Sequence, residues 1–152
     1  MTSEFVLYNN FRENIAKGIV DLAGDTIKLA LVTSDYMPDA AHSGLADAMA
    51  SPSPEVPEGG SPDSGYDTGG AMLTGSTVTH DNAVATWDAE NVSWASLNAT
   101  FRYGILYAQK SEGAIVNPLI GYIIFDNTPG DIVKVGETME VVWAPTGILT
   151  LS

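Results

Sequence analysis

The chain of 152 residues contains no cysteine. Disulfides, thiolate metal ligands and a thiol nucleophile are therefore excluded, and stability has to come from packing and hydrogen bonding. Basic residues are nearly as scarce: six Lys and Arg stand against 19 Asp and Glu, for a net charge of −13. None lies between Lys28 and Arg102. Such a field opposes the phosphate backbone of nucleic acid and an anionic membrane surface alike. It suits a highly soluble particle, a basic partner or a divalent cation. His42 and His80 are the only histidines, and neither has a second histidine at ligand spacing. No apolar run reaches the roughly 20 residues that a membrane-spanning helix requires. The N-terminal MTSEFVLYNNFRENIAKG also lacks the basic start and unbroken apolar core of a signal peptide. The expectation is a protein made in a cytoplasm and remaining soluble, with neither nucleic acid nor membrane as partner.

What is present is enough apolar residue, 45%, to bury a core within one domain spanning residues 1–152. The stretch Thr100 to Asp126 organises it. TFRYGILYAQ and PLIGYIIFD read as two strands joined by a polar turn at Ser111, Glu112 and Gly113. Strict alternation would put Phe101, Tyr103, Ile105 and Tyr107 on one face, with Leu106 and Ala108 on the other. In the second strand it would separate Leu119, Ile123 and Phe125 from Ile120, Tyr122 and Ile124. Apolar residues on both faces mean that both faces are covered.

Around this pair the chain reads as follows. Residues 3–22 carry Phe5, Tyr8, Phe11, Ile15 and Ile19 at three- and four-residue spacing, which predicts an amphipathic helix ended by Gly24. Residues 25–33 predict a strand. Residues 34–70 are rich in Pro, Gly, Ser and Asp, with a short helical stretch at 40–50. A connection of this length is normally functional or mobile, and its charge predicts an excursion held out into solvent or over a neighbour. From Ala71 to 151 short strands return: a hairpin turning on Asp81 and Asn82, NVSWASLNA, the central pair, KVGETMEVVWAP and the terminal GILTLS. The fold class expected is mainly β, a β-sandwich or barrel-like antiparallel domain with an N-terminal helix and one long loop.

No catalytic constellation stands out. There is no GxSxG elbow, no EF-hand spacing, and the glycines of SGYDTGGAM and TGST suit turns better than a phosphate cradle. Asp63, Asp67, Asp88 and Glu90 read as dispersed surface carboxylates, and Arg102 as one half of an internal ion pair, for instance with Asp88, Glu90 or Asp126, with a clamp on a partner subunit's carboxylate the alternative. Trp87, Trp94 and Trp143, with Tyr66, Tyr103, Tyr107 and Tyr122, offer either core packing or a sugar-stacking platform. No enzyme, metal or cofactor is expected.

Several stretches together resemble a family of small virion proteins encoded by tailed bacteriophages and prophages. They are GDTIKLALVTSDYMPD after the N-terminal segment, GYDTGGAMLTGSTVTHDNAVATWDAENVSWASLNATFRYGILY, PLIGYIIFD and WAPTGILTLS. The resemblance covers most of the chain apart from the loop near 40–62. It implies a virion structural protein with no catalytic residues, and most simply a capsid decoration, or cement, protein on the outer head surface. Its partners would be the major capsid protein or other virion proteins, with the chain a homo-oligomer or present in many copies on a lattice. A tail, neck or fibre-base component and a host-surface or glycan-binding module are the alternatives. Composition and expected exposure place the contacts on Glu4, Phe5 and Tyr8 and on the loop residues Tyr36, Met37, Pro38, Pro54, Val56 and Pro57.

Overall fold

The computed structural model describes residues 3–152 and is mainly β, built from antiparallel sheets in a sandwich-like arrangement. In chain order, strand β1 (Glu4–Leu7) leads into helix α1 (Asn9–Ala16), then β2 (Ile27–Val32) and the short helix α2 (Leu45–Ala48). There follow β3 (Ala71–Met72), β4 (Thr77–Asp81), β5 (Val84–Asp88), β6 (Val92–Phe101) and β7 (Tyr103–Ala108). The chain ends with β8 (Ser111–Glu112), β9 (Ile115–Val116), β10 (Leu119–Ile124), β11 (Ile132–Val141) and β12 (Leu149–Leu151).

The central pair sits where its two apolar faces require. β7 and β10 lie in the middle of a five-stranded sheet of order β1-β10-β7-β2-β3. One face meets the main core, where Leu29, Leu31, Leu106, Ile120 and Phe101 are buried together with Phe11, Tyr66 and Trp87. The other face carries Ala30, Val32, Ile105, Tyr107, Leu119 and Tyr122 and is covered by Tyr8, Tyr36 and Ala48. β6 and β11 form a two-stranded ribbon, and β12-β5-β4 a third sheet; both add residues to the main core.

Strict alternation fails at two places. Phe101 joins Leu106 and Ala108 in the main core, while Tyr103 packs with Ile105 and Tyr107 on the opposite side. Arg102, between β6 and β7, is the slip. On β10, Leu119 faces Tyr107 but Gly121 faces Leu106, so Ile120 is extra and turns to the main core with Ile123 and Phe125. Each inserted residue flips the faces of everything after it, as a bulge does.

The expected helix over 3–22 is replaced by a strand and a shorter helix. Glu4 to Leu7 pair with β10, with Phe5 opposite Ile123 and Leu7 opposite Gly121. The Phe5 ring lies across Gly121, where an added Cβ would come within 2.5 Å of it. Helix α1 has no side-chain N-cap and buries Phe11 and Asn14. A helix this short is held by that packing, with full burial of one Phe contributing about 1.5–3 kcal/mol. Gly18, at φ +71°, ends the helix well before Gly24.

The 71–81 segment also divides. β3 closes the five-stranded sheet, whereas β4 belongs to the third sheet, and the hairpin turns on Asn82 (φ +54°) and Ala83 with Asp81 opposite Val84.

The largest departure is the 34–70 segment, which lies down on the body instead of standing away from it. The Thr33 amide donates to the Pro54 carbonyl at 2.8 Å and the Val56 amide to Leu31 at 3.0 Å. Tyr66, buried in the main core beside Trp94, accepts from the Leu31 amide at 3.1 Å and donates to Glu55 Oε1 at 2.7 Å. Glu55 also accepts from the Gly69 amide at 2.6 Å, and Tyr107 donates to the Gly69 carbonyl at 2.5 Å. The helical stretch at 40–50 contracts to α2, whose first turn is capped by Asp47 accepting from the Ser43 and Gly44 amides. Those amides hold the Asp47 carboxyl below its ordinary range.

Candidate functional site

The residues chosen as contacts part into two groups. Tyr8, Tyr36, Pro54 and Val56 are buried in the protomer and are corrected as contact residues. Tyr8 and Tyr36 share a hydroxyl–hydroxyl hydrogen bond of 2.8 Å, and the Tyr36 hydroxyl lies 3.2 Å from His42 Nδ1. Burial, and then the bond to Tyr36, raises the Tyr8 hydroxyl far above the ordinary phenol range. These rings serve as the lid of the second core. Their aromatic signal was real, but its destination was the sheet. The other group stays outside: Glu4, Pro38 and Pro57 are exposed, Met37 is 81% exposed, and Phe5 is half-buried.

Glu4 and Phe5 stand on the rim of an open cleft of about 510 Å³ between the free edge of β1 and the β6–β11 ribbon. The sheet supplies Phe5, Ile123 and Phe125 to its walls. The ribbon supplies Ile132, Met139 and Val141, and the turn from Trp143 to Ile148 closes one end. Glu4, Lys134 and Glu140 are its charged members. Among the described residues the two strands beside the cleft each have a neighbour on one side only: β1 pairs with β10, and β11 with β6.

The backbone of β1 sharpens this. The Tyr8 amide donates to the Ile120 carbonyl at 3.1 Å, and Val6 stands opposite Tyr122. The two-residue alternation of an antiparallel ladder then turns the N–H and C=O groups of Phe5 and Leu7 away from β10. An open edge beside an apolar cleft binds an extended chain through main-chain hydrogen bonds and side-chain pockets. In the sequence, expected exposure points to Glu4 and Phe5, Trp143 reads as a core or sugar-stacking ring, and Met139 and Val141 carry no contact signal. Alternation in KVGETMEVVWAP showed a buried face there, but nothing local signals that β11 lacks a second neighbour.

Comparison with known proteins adds no relative: no family model, no curated protein and no solved structure matches the chain.

The other candidates are dispersed. Among the described residues no three His, Asp or Glu side chains stand together as a metal site would require. His80 lies on exposed β4, whereas His42 belongs to the tyrosine lid. Arg102 does make an internal pair, but its partner is Asp131, at 2.8 Å, and not Asp88, Glu90 or Asp126. Lys110 meets both carboxylate oxygens of Asp25, at 3.1 and 3.2 Å, and also donates to the Ile19 carbonyl. Of the aromatic set, Trp87, Trp94, Tyr66, Tyr107 and Tyr122 are buried, while Trp143 and Tyr103 are half-buried. Trp143 donates its indole N–H to the Glu90 carbonyl at 3.1 Å. A second, shallower cleft of about 400 Å³ lies between the turn after α1 and the third sheet, lined by Val20, Leu22, Val78, Trp87 and Leu149.

Proposed function

We propose that the protein is a structural component of a tailed-phage virion, in its simplest form a capsid decoration protein bound to the outer face of the head. It would be synthesised in the host cytoplasm and located in the particle, in contact with the major capsid protein. The observation that carries this reading is the kind of surface the fold leaves open. The five-stranded sheet is covered on both sides, and what remains is unpaired strand edge, an apolar cleft and the exposed tip at Met37 and Pro38. Those are features for holding another protein. The family resemblance over most of the chain points the same way, and the charge of −13 suits a protein stored at high concentration without self-association.

Function in this reading is mass action. A protein that binds the assembled lattice and not its separated subunits stabilises the lattice by about 2.7 kcal/mol per site when free protein is at about 100 times its Kd. The packed 34–70 segment changes how contact is made: the body docks as a preformed surface, with little ordering entropy lost, in place of an arm that folds on arrival.

The test is stoichiometric. Purified protein is added to particles lacking it, and bound copies are counted after sedimentation and by image reconstruction. Hundreds of copies on the head accord with decoration. Small multiples of three or six at the tail or neck would replace it with the tail-component reading, and absence from the particle would end both. The glycan-binding alternative is disfavoured by the burial of most of its rings.

A further inference from the structure

We infer that the cleft beside β1 is an acceptor site for one extended strand, contributed by a basic segment of a partner protein. The inference names the docking surface for the function proposed above and rests on that reading only for where the partner resides.

Three observations converge. The cleft is bounded on both sides by strands with a vacant edge, β1 from the sheet and β11 from the ribbon. The ladder register turns the backbone donors and acceptors of Phe5, which lines the cleft, and of Leu7, next along the same edge, away from β10, and they meet no partner among the described residues. Between the two layers the walls are apolar, so alternate side chains of an entering strand would meet Phe5 and Met139 instead of water. A strand seated there pairs with β1 and covers apolar surface that the protomer alone leaves half open.

Charge selects the occupant. Among the described residues lining the cleft, Glu4 and Glu140 stand against one cation, Lys134, within a molecule of net charge −13. A second copy of this chain would bring the same excess of negative charge to the same rim. A segment with Lys or Arg beside its apolar positions gains attraction at the rim and a faster encounter.

The probe is a synthetic peptide of about seven residues, spanning ~23 Å of strand. It alternates valine and threonine and carries a lysine at each end. Backbone amide exchange is followed by NMR in the full-length protein, with and without peptide. At a free peptide concentration of about ten times Kd, exchange at Phe5 and Leu7 slows about ten-fold, because only about a tenth of the sites are empty. The surface variant Glu4→Lys with Glu140→Lys leaves the fold intact and weakens binding by about ten-fold. A peptide with proline at its centre does not bind. Binding that leaves the Phe5 and Leu7 amides unprotected overturns the inference, as does equal binding of a peptide ended by glutamates. Protection of the same amides by protein concentration alone overturns the basic partner in favour of a second copy. If the lysine peptide binds as described and particles take up no protein, the acceptor site stands and the virion reading falls.

Discussion

Tyr66→Phe is the sharpest test of whether the 34–70 segment is latched to the sheet. The substitution removes one oxygen and little volume, so packing against Trp94 is kept. What disappears is a two-way bridge: the hydroxyl accepts from the buried Leu31 amide at 3.1 Å and donates to Glu55 Oε1 at 2.7 Å. Leaving a buried N–H without an acceptor costs about 1–3 kcal/mol, and a hydrogen bond to a carboxylate contributes about 1.5–3 kcal/mol. Glu55 is half-buried and keeps the Gly69 amide at 2.6 Å, so part of the second contribution returns through water and that remaining bond. The expected loss is therefore about 2–3 kcal/mol. For a domain of this size that lowers Tm by roughly 5–10 °C.

The assay is urea unfolding, in which the midpoint should fall with the slope m unchanged. Amide exchange adds a local readout, since the Leu31 N–H should exchange faster even where its neighbours in β2 do not. Glu55→Gln supplies the second edge of a double-mutant cycle. The carboxamide oxygen still accepts but without charge, so a coupling energy between the two positions is expected. A Tyr66→Phe loss below about 0.5 kcal/mol, the level of an ordinary surface substitution, would refute the latch. So would an unchanged Leu31 exchange rate.

Gly70→Ala should cost about 3–5 kcal/mol, because φ is +88° and the new Cβ would overlap the Leu29 carbonyl; Gly59→Ala, at φ +77° with open space around it, should cost only about 1–2 kcal/mol in chemical denaturation. Lys110→Met strips Asp25 of its cation and should destabilise by about 1–2 kcal/mol, less than for a fully buried pair because both side chains retain some solvent. In alkali, burial pushes the Tyr107 hydroxyl up to about 12 and Tyr8 and Tyr66 higher still. The native state then keeps protons that the unfolded chain gives up from about pH 10, so this stability is complete below that pH and lost as pH rises through about 12. Phenolate absorbance should show these tyrosines ionising only with unfolding, and a smooth titration of all of them in folded protein would contradict their burial.

The parts of this fold legible in the sequence were those in which pattern and tertiary role coincide. Apolar residues on both faces of TFRYGILYAQ and PLIGYIIFD call for covered strands, and 103–108 and 119–124 within them form the centre of the five-stranded sheet. Residues 25–33 likewise predict a strand, and β2 takes 27–32 of them. The N-terminal segment shows the opposite case. Phe5, Tyr8 and Phe11 fall at helical spacing, yet Phe5 is drawn into a strand by the space above Gly121, and Phe11 is the first of them on a helix. A glycine more than a hundred residues away decides that contest, and local periodicity does not register it. The 34–70 segment was misjudged through composition. Proline, glycine and acid forecast a solvated excursion, whereas Tyr36, Val56 and Tyr66 pin it down through partners at Tyr8, Leu31 and Glu55. The candidate site divides in the same way: expected exposure points to Glu4 and Phe5, whereas the ribbon wall follows from β11 having one neighbour among the described residues, which no local pattern carries.

The acceptor cleft and the failure of strict alternation have a common origin. β6 and β7 are adjacent in the chain yet belong to different sheets, with Arg102 between them. The slip at Arg102 lets Phe101 turn toward Phe125, their rings meeting edge-on at 5.4 Å, and carries the ribbon's Leu97 and Met139 into the core shared with the sheet. The Arg102–Asp131 pair ties the end of β6 to the start of β11 at that bend. With the ribbon belonging to a different layer, β1 ends its pairing at Glu4 and β11 begins with one edge bare. Filling the cleft from outside would join the two layers. A partner strand in that position would therefore do more than occupy a groove: it would brace the ribbon against the sheet. Occupancy should accordingly slow amide exchange across β11 as well as at Phe5 and Leu7, while β4, on the third sheet, stays as it was.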